Sequence, residues 1–159
     1  MSSERVSASR RIPASASHIF GLITDPNMHV EIDGSGMLMA APDATALQAV
    51  GDSFIINMDR EALGDIPMGK YTVKNTVTRI TPDAELEWNI GGLEHPPLGH
   101  VYGYVLEPVS ADETDVTSYC DWSGLEPKWR ERVTFPVVPV TALVKSLDNL
   151  ERIVASPAA

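Results

Sequence analysis

A chain of 159 residues with 43% apolar residues and a formal net charge of −10 is expected to form one folded domain, because a domain of that size buries roughly 70% of its unfolded surface and such apolar content excludes a disordered chain. The acidic balance repels phosphate backbones, and the basic residues Lys128, Arg130 and Arg132 are interleaved with Glu126 and Glu131, so no nucleic acid partner is expected. The single cysteine, Cys120, has no internal disulfide partner, and no apolar stretch follows the Ser- and Arg-bearing start, so the expectation is a cytoplasmic protein with no secretory signal and no integral membrane association.

Val6 to Ile12 predicts a short strand ended by Pro13, after which Ser15 is placed to cap a helix carrying Ile19, Phe20, Leu22 and Ile23. Asp25-Pro26 stops that helix, and a second helical turn covers Pro26 to Glu31. Asp33-Gly34-Ser35-Gly36 then forces a turn into a strand from Met37 to Ala40. Beyond a polar, alanine-rich connection, Phe54, Ile56 and Met58 alternate with Ile55, Asn57 and Asp59. Lys70 to Ile80 sets Tyr71, Val73 and Val77 on one face, and Leu86, Trp88 and Ile90 alternate with Glu85, Glu87 and Asn89. His100, Tyr102, Tyr104 and Leu106 form the next strand, and Thr114 to Trp122 the last. The connections between them are of hairpin length, so consecutive strands are expected to pair antiparallel.

From Val140 the residues Val140, Leu143, Val144, Leu147, Leu150 and Val154 recur at three- and four-residue spacing, while Lys145, Ser146, Asp148, Asn149, Glu151 and Arg152 fill the other face. That pattern predicts an amphipathic helix, and the inner face of the strands is the large apolar surface on which its stripe can be buried. The expectation is an α+β, helix-grip fold: a curved antiparallel sheet of seven strands in β-α-α-β6-α order around a long C-terminal helix. One domain is expected over 6–155, with flexible termini at 1–5 and 156–159.

Five short segments carry a family likeness: Arg11-Ile12-Pro13-Ala14-Ser15-Ala16, Ile32-Asp33-Gly34-Ser35-Gly36, Gly51-Asp52-Ser53-Phe54, Leu106-Glu107-Pro108 and Asp121-Trp122-Ser123-Gly124. In that order the chain resembles the polyketide cyclase/dehydrase-like branch of the START-like superfamily (SRPBCC, Bet v 1-like), and most of all its bacterial members. The resemblance implies a cavity between sheet and long helix that holds a hydrophobic small molecule such as a lipid, hormone or polyketide. No cofactor is expected, as the sequence has no Gly-rich phosphate loop and no strand-Gly-x-Gly-x-x-Gly-helix unit.

The residues agree on the lining. With the apolar alternates facing the helix, Phe54, Ile56 and Met58 point inward from one strand, Tyr71 and Val73 from the next, and Trp88, His100, Tyr102 and Tyr104 from the following two. Leu143, Val144 and Leu147 would meet them from the helix. The competing reading is ordinary core, with each ring's polar atom satisfied inside it. Three polar-tipped rings in sequence at His100, Tyr102 and Tyr104 favour a lined cavity.

His29 and His100 are the catalytic candidates, because cyclisation or dehydration needs a base beside a carbonyl and an acid for the departing oxygen. The Tyr102 and Tyr104 hydroxyls are acid-base candidates beside them. Asp33, Leu93 and His95 are expected at the cavity mouth, with Leu93 to Gly99 as a gate, although Asp33 before Gly34 reads first as a turn-capping residue. The histidines His18, His29, His95 and His100 lack helical ligand spacing, so no metal site is expected. Cys120 reads as a small buried hydrophobe.

Three functions fit this sequence: a binder of a hydrophobic small molecule, a cyclase or dehydratase on a polyketide-like or acyl substrate, and a stress or regulatory interaction protein with no obligatory ligand. A monomer or a homodimer is expected, with Trp129 and the open sheet edge as candidate contact surfaces.

Overall fold

Seven strands form one antiparallel sheet in the order β1-β7-β6-β5-β4-β3-β2 in the computed structural model, which describes residues 4–42, 44–64, 69–93 and 96–155. The strands are β1 (Arg5–Ile12), β2 (Leu38–Ala40), β3 (Ser53–Asp59), β4 (Lys70–Thr81), β5 (Glu85–Gly91), β6 (Val101–Ser110) and β7 (Glu113–Asp121). The helices are α1 (Ala16–Ile23), α2 (Pro26–Ile32), the short α3 (Pro127–Arg130) and α4 (Val140–Ala155), with a 3-10 turn at Arg60–Ala62 after β3. This is the α+β helix-grip architecture, and all neighbouring strands pair antiparallel.

Local chemistry sets the boundaries of the early helices. Ser15 accepts a hydrogen bond from the His18 N–H at the start of α1, and Asp25 accepts one from the Asn27 N–H ahead of Pro26 in the first turn of α2. Irregular pairing at Val77/Arg79 and Pro108/Ser110 marks bulges in β4 and β6. A bulge bends its strand and increases local twist, which curls this sheet. The first of them also puts Ile80 opposite Leu86, so the apolar alternation of β4 changes phase there.

The packed core draws on the sheet from β1 to β7 and on α1, α2 and α4. Ile12, Ile19, Ile23, Ile32, Val77, Leu86, Val116, Leu147 and Leu150 are almost wholly buried there. The 16-residue α4 is about 24 Å long, and it lies chiefly on β1, with lesser contact to β7 and α2. The opposite half of the sheet, β2 to β5, lies outside its main footprint.

The buried face of α4 is rotated from the expected stripe. Val144 is 46% exposed and Val140 43% exposed, whereas Ser146 and Asn149, expected on the solvent face, are buried. The cause is polar. The Ser146 hydroxyl accepts from the Gly34 N–H at 2.8 Å, and the Asn149 amide donates to the Ile32 carbonyl at 3.0 Å. Gly34 has no room for a side chain: a Cβ there would stand 2.2 Å from the Ala142 carbonyl oxygen and 2.7 Å from the Ser146 nitrogen. The turn after α2 therefore clasps α4 and fixes its rotation. Arg10 of β1 bonds Asp148 and Glu151 across the other side of the helix.

Candidate functional site

Register decides which side chains share the concave face. Cross-strand pairs run Met58 to Tyr71, Ile56 to Val73 and Phe54 to Asn75, then Trp88 to Tyr102 and Tyr102 to Cys120. Leu86, Tyr104 and Ser118 form the neighbouring row. Residues on one face of an antiparallel pair sit side by side, so these rows line a continuous inner surface.

That surface divides in two. Phe54, Ile56, Tyr104, Leu143 and Leu147 are buried in the filled core, whereas Met58, Tyr71, Val73, Trp88, Ile90 and Tyr102 are only half-buried. Met58, Val73 and Trp88 pack against that core while keeping some accessible surface. Val144, expected to line this interior, instead lies on the outer face of α4 beside Arg10, Lys145 and Asp148. Its place on the edge of the helical stripe turns outward once Ser146 and Asn149 bond the turn after α2.

His29 is 6% exposed. Its Nε2 donates to the Ile23 carbonyl at 2.6 Å, satisfying an acceptor at the end of α1. The ring packs 4.8 Å from Trp88 and 5.1 Å from Phe54, and burial lowers its pKa, so the imidazole is held neutral. The proton on Nε2 is committed to the backbone. His29 thus joins two helices to the aromatic cluster.

His100 differs. It is 7% exposed, and its Nδ1 is buried without a hydrogen-bond partner. The ring lies 4.9 Å from Phe135 and 5.9 Å from Tyr102, with Trp122 stacked 5.8 Å from Phe135. Burial drives its pKa down to about 4. A buried nitrogen without a partner costs about 1–3 kcal/mol, a deficit that an incoming polar group would relieve.

Tyr102 stands directly across from Cys120 in the register of β6 and β7. Burial, then the neighbouring Cys120 and Tyr71, raise the Tyr102 pKa, while the Arg60 guanidinium acts in the opposite sense. Burial raises the Cys120 thiol to about 12, so Cys120 is an inert, fully buried packing group. Tyr104 is raised by burial and, secondarily, by Asp33.

Asp33 serves the turn. Its carboxylate accepts from the Ser35 N–H and hydroxyl, the Gly36 N–H and the Leu38 N–H, which occupies both oxygens with local bonds. Leu93 is 60% exposed. His95 lies outside the described residues, as does part of the expected gate. Among the described residues, no group of three His, Cys, Asp or Glu side chains is placed to hold a metal ion, and no helix is long and apolar enough to cross a membrane.

Two buried polar residues were missing from the expected site. Arg60 is 8% exposed at the start of the 3-10 turn that follows β3. Asn75 occupies the inward position between Val73 and Val77, buried with its Oδ1 unpartnered. Asn75 was legible from the same alternation that selects its apolar neighbours.

The fold recurs in solved structures. Norcoclaurine synthase from Thalictrum flavum superposes with a TM-score of 0.62 at 14% identity, covering 99% of each chain. A protein from Arthrobacter aurescens superposes with a TM-score of 0.68 at 16% identity, over 98% of this chain and 88% of its own. The chain has the helix-grip fold. In sequence it is 32% identical over 118 residues to an uncharacterized protein of Mycobacterium tuberculosis, Rv0088, a match covering 74% of this chain and 47% of that protein. The chain thus spans about half the length of the curated relatives it matches. No protein-family model matches it.

Proposed function

We propose that this protein binds a hydrophobic small molecule, of lipid-, polyketide- or hormone-like character, in a chamber between the concave face of β3 to β6 and α4. The observation that carries the reading is the half-buried state of Met58, Tyr71, Val73, Trp88 and Tyr102, which face inward by register yet keep accessible surface. A concave, mostly apolar surface with a few polar groups is the usual form of a small-molecule site. The bond from His29 to Ile23 supports a preformed wall, because it fixes the ring that backs Trp88 and Phe54.

The test is native mass spectrometry of protein purified under mild conditions. The expected result is a retained lipid-like mass, or uptake of one equivalent of an added fluorescent fatty acid. Failure of both across a broad panel of apolar ligands would sink the proposal.

A second reading, cyclisation or dehydration of a polyketide-like substrate, is favoured by the unpartnered Nδ1 of His100 beside Tyr102. It ranks below binding on chemical grounds. A base is most effective with a pKa near the working pH, and His100 at about 4 is a weak one. Loss of turnover in His100→Ala with the fold intact would reverse that order.

A further inference from the structure

Two orphaned polar atoms stand in one row of the concave face. Asn75 is 6% exposed and His100 7%, and the Asn75 Oδ1 and the His100 Nδ1 are both buried without a hydrogen-bond partner. Asn75 pairs with Phe54 of β3 and with Ile90 of β5, and the Phe54 ring packs edge-on to Trp88 at 6.1 Å. His100 immediately precedes β6 and meets Tyr102 edge-on at 5.9 Å, and Tyr102 pairs with Trp88. Because Asn89 pairs with Val101, their chain neighbours Ile90 and His100 come side by side at the end of that ladder. Ile90 therefore separates Asn75 from His100, and two strand spacings put the backbones of those two residues about 10 Å apart.

A native fold leaves few buried polar atoms unpaired, and two in one row call for a partner that reaches both. Their chemistry selects it. The Asn75 amide is uncharged, and burial holds the His100 imidazole neutral, with one donor and one acceptor nitrogen. A hydroxyl both donates and accepts, so it suits the Asn75 oxygen and either tautomer of His100. A carboxylate or phosphate only accepts, and neither the amide nor the neutral ring balances its charge. A bare hydrocarbon leaves both atoms unpaired. Ile90 and Trp88 are half-buried beside the two polar groups and supply apolar surface for the body of a ligand.

We propose that the chamber takes an uncharged apolar molecule carrying two hydroxyl groups, one bonded to the Asn75 Oδ1 and the other to the His100 Nδ1, with its body lying over Ile90 and Trp88. This rests on the small-molecule reading above and adds the class and placement of the ligand's polar groups.

The experiment measures displacement of the uncharged apolar dye Nile red from the full chain at neutral pH by 2,6-dihydroxynaphthalene, naphthalene and 2,6-naphthalenedicarboxylate. The expected result for wild type is at least tenfold tighter binding of the diol than of either other compound. In Asn75→Leu and in His100→Leu the ratio of diol to naphthalene affinity is expected to fall at least threefold. Equal binding of diol and naphthalene by wild type would mean that water alone meets the two atoms, and would overturn the hydroxyl assignment while leaving the chamber standing. Binding of the dicarboxylate as tightly as the diol would overturn the uncharged class. Retention of the full ratio in both variants would overturn the roles of Asn75 and His100. Failure of the dye and of all three compounds to bind would remove the small-molecule reading and this inference with it. The wild-type comparison needs no variant, so a misfolded variant leaves the assignment open to refutation.

Discussion

Replacing His100 with leucine removes a group that the fold holds neutral, and the pH dependence of stability reports its loss. The folded-state pKa is about 4, against roughly 6.5 in an unfolded chain. Because the folded value is depressed, the unfolded chain takes up a proton that the folded protein excludes as pH falls below ~6.5. Stability present above that pH is therefore lost progressively until the pH reaches about 4, where the folded protein protonates as well. The two values correspond to a loss of about 2 kcal/mol at pH ~5 and about 3 kcal/mol once both states have titrated. His29 contributes a loss of the same sign, and His100→Leu leaves it in place. Urea unfolding of wild type and His100→Leu near pH ~8 and pH ~5 isolates the His100 share. Wild type is expected to lose about 2 kcal/mol more than the variant between those conditions. Equal losses in the two proteins would refute the buried, neutral imidazole.

The orientation of α4 is tested by Leu147→Ala, expected to cost about 2–5 kcal/mol, beside Val144→Ala, expected to stay within about 0.5 kcal/mol. Chemical denaturation reads both, and comparable losses would contradict the rotated helix face. Gly34→Ala forces a Cβ against the backbone of α4 and is expected to destabilise by about 1–3 kcal/mol or more, with the amides of Ser146 and Asn149 losing hydrogen-exchange protection. A neutral Gly34→Ala would mean that the turn does not clasp the helix.

The sheet and helices were legible because their signals are local. Ser15 and Asp25-Pro26 set the early helix boundaries through side-chain bonds made within a few residues. The even-numbered residues of β3, and their counterparts on β5 and β6, share a face through the two-residue period of a strand, which needs no tertiary information. The rotation of α4 was not legible. Val140 and Val144 fit the apolar spacing as well as Leu143 and Leu147 do, and the choice between them rests on Ser146 and Asn149 meeting a turn more than a hundred residues away in sequence.

The candidate site was legible in part for the same reason. Trp88 and Tyr102 follow from alternation alone. The roles of the two histidines do not: His29 is bonded to a carbonyl six residues back across a helix break, and His100 is isolated by rings contributed from Phe135. Asn75 occupies an inward position in the same alternation, and searching only for apolar residues at those positions passes over it.

Heteronuclear NMR with an added apolar fatty acid tests the chamber most directly, by showing which residues sense the ligand. The account predicts saturable shifts at Met58, Tyr71, Trp88, His100 and Tyr102, with Val144 and Arg10 on the outer side of α4 unmoved. Shifts confined to that outer face, or none anywhere at saturating ligand, would contradict it.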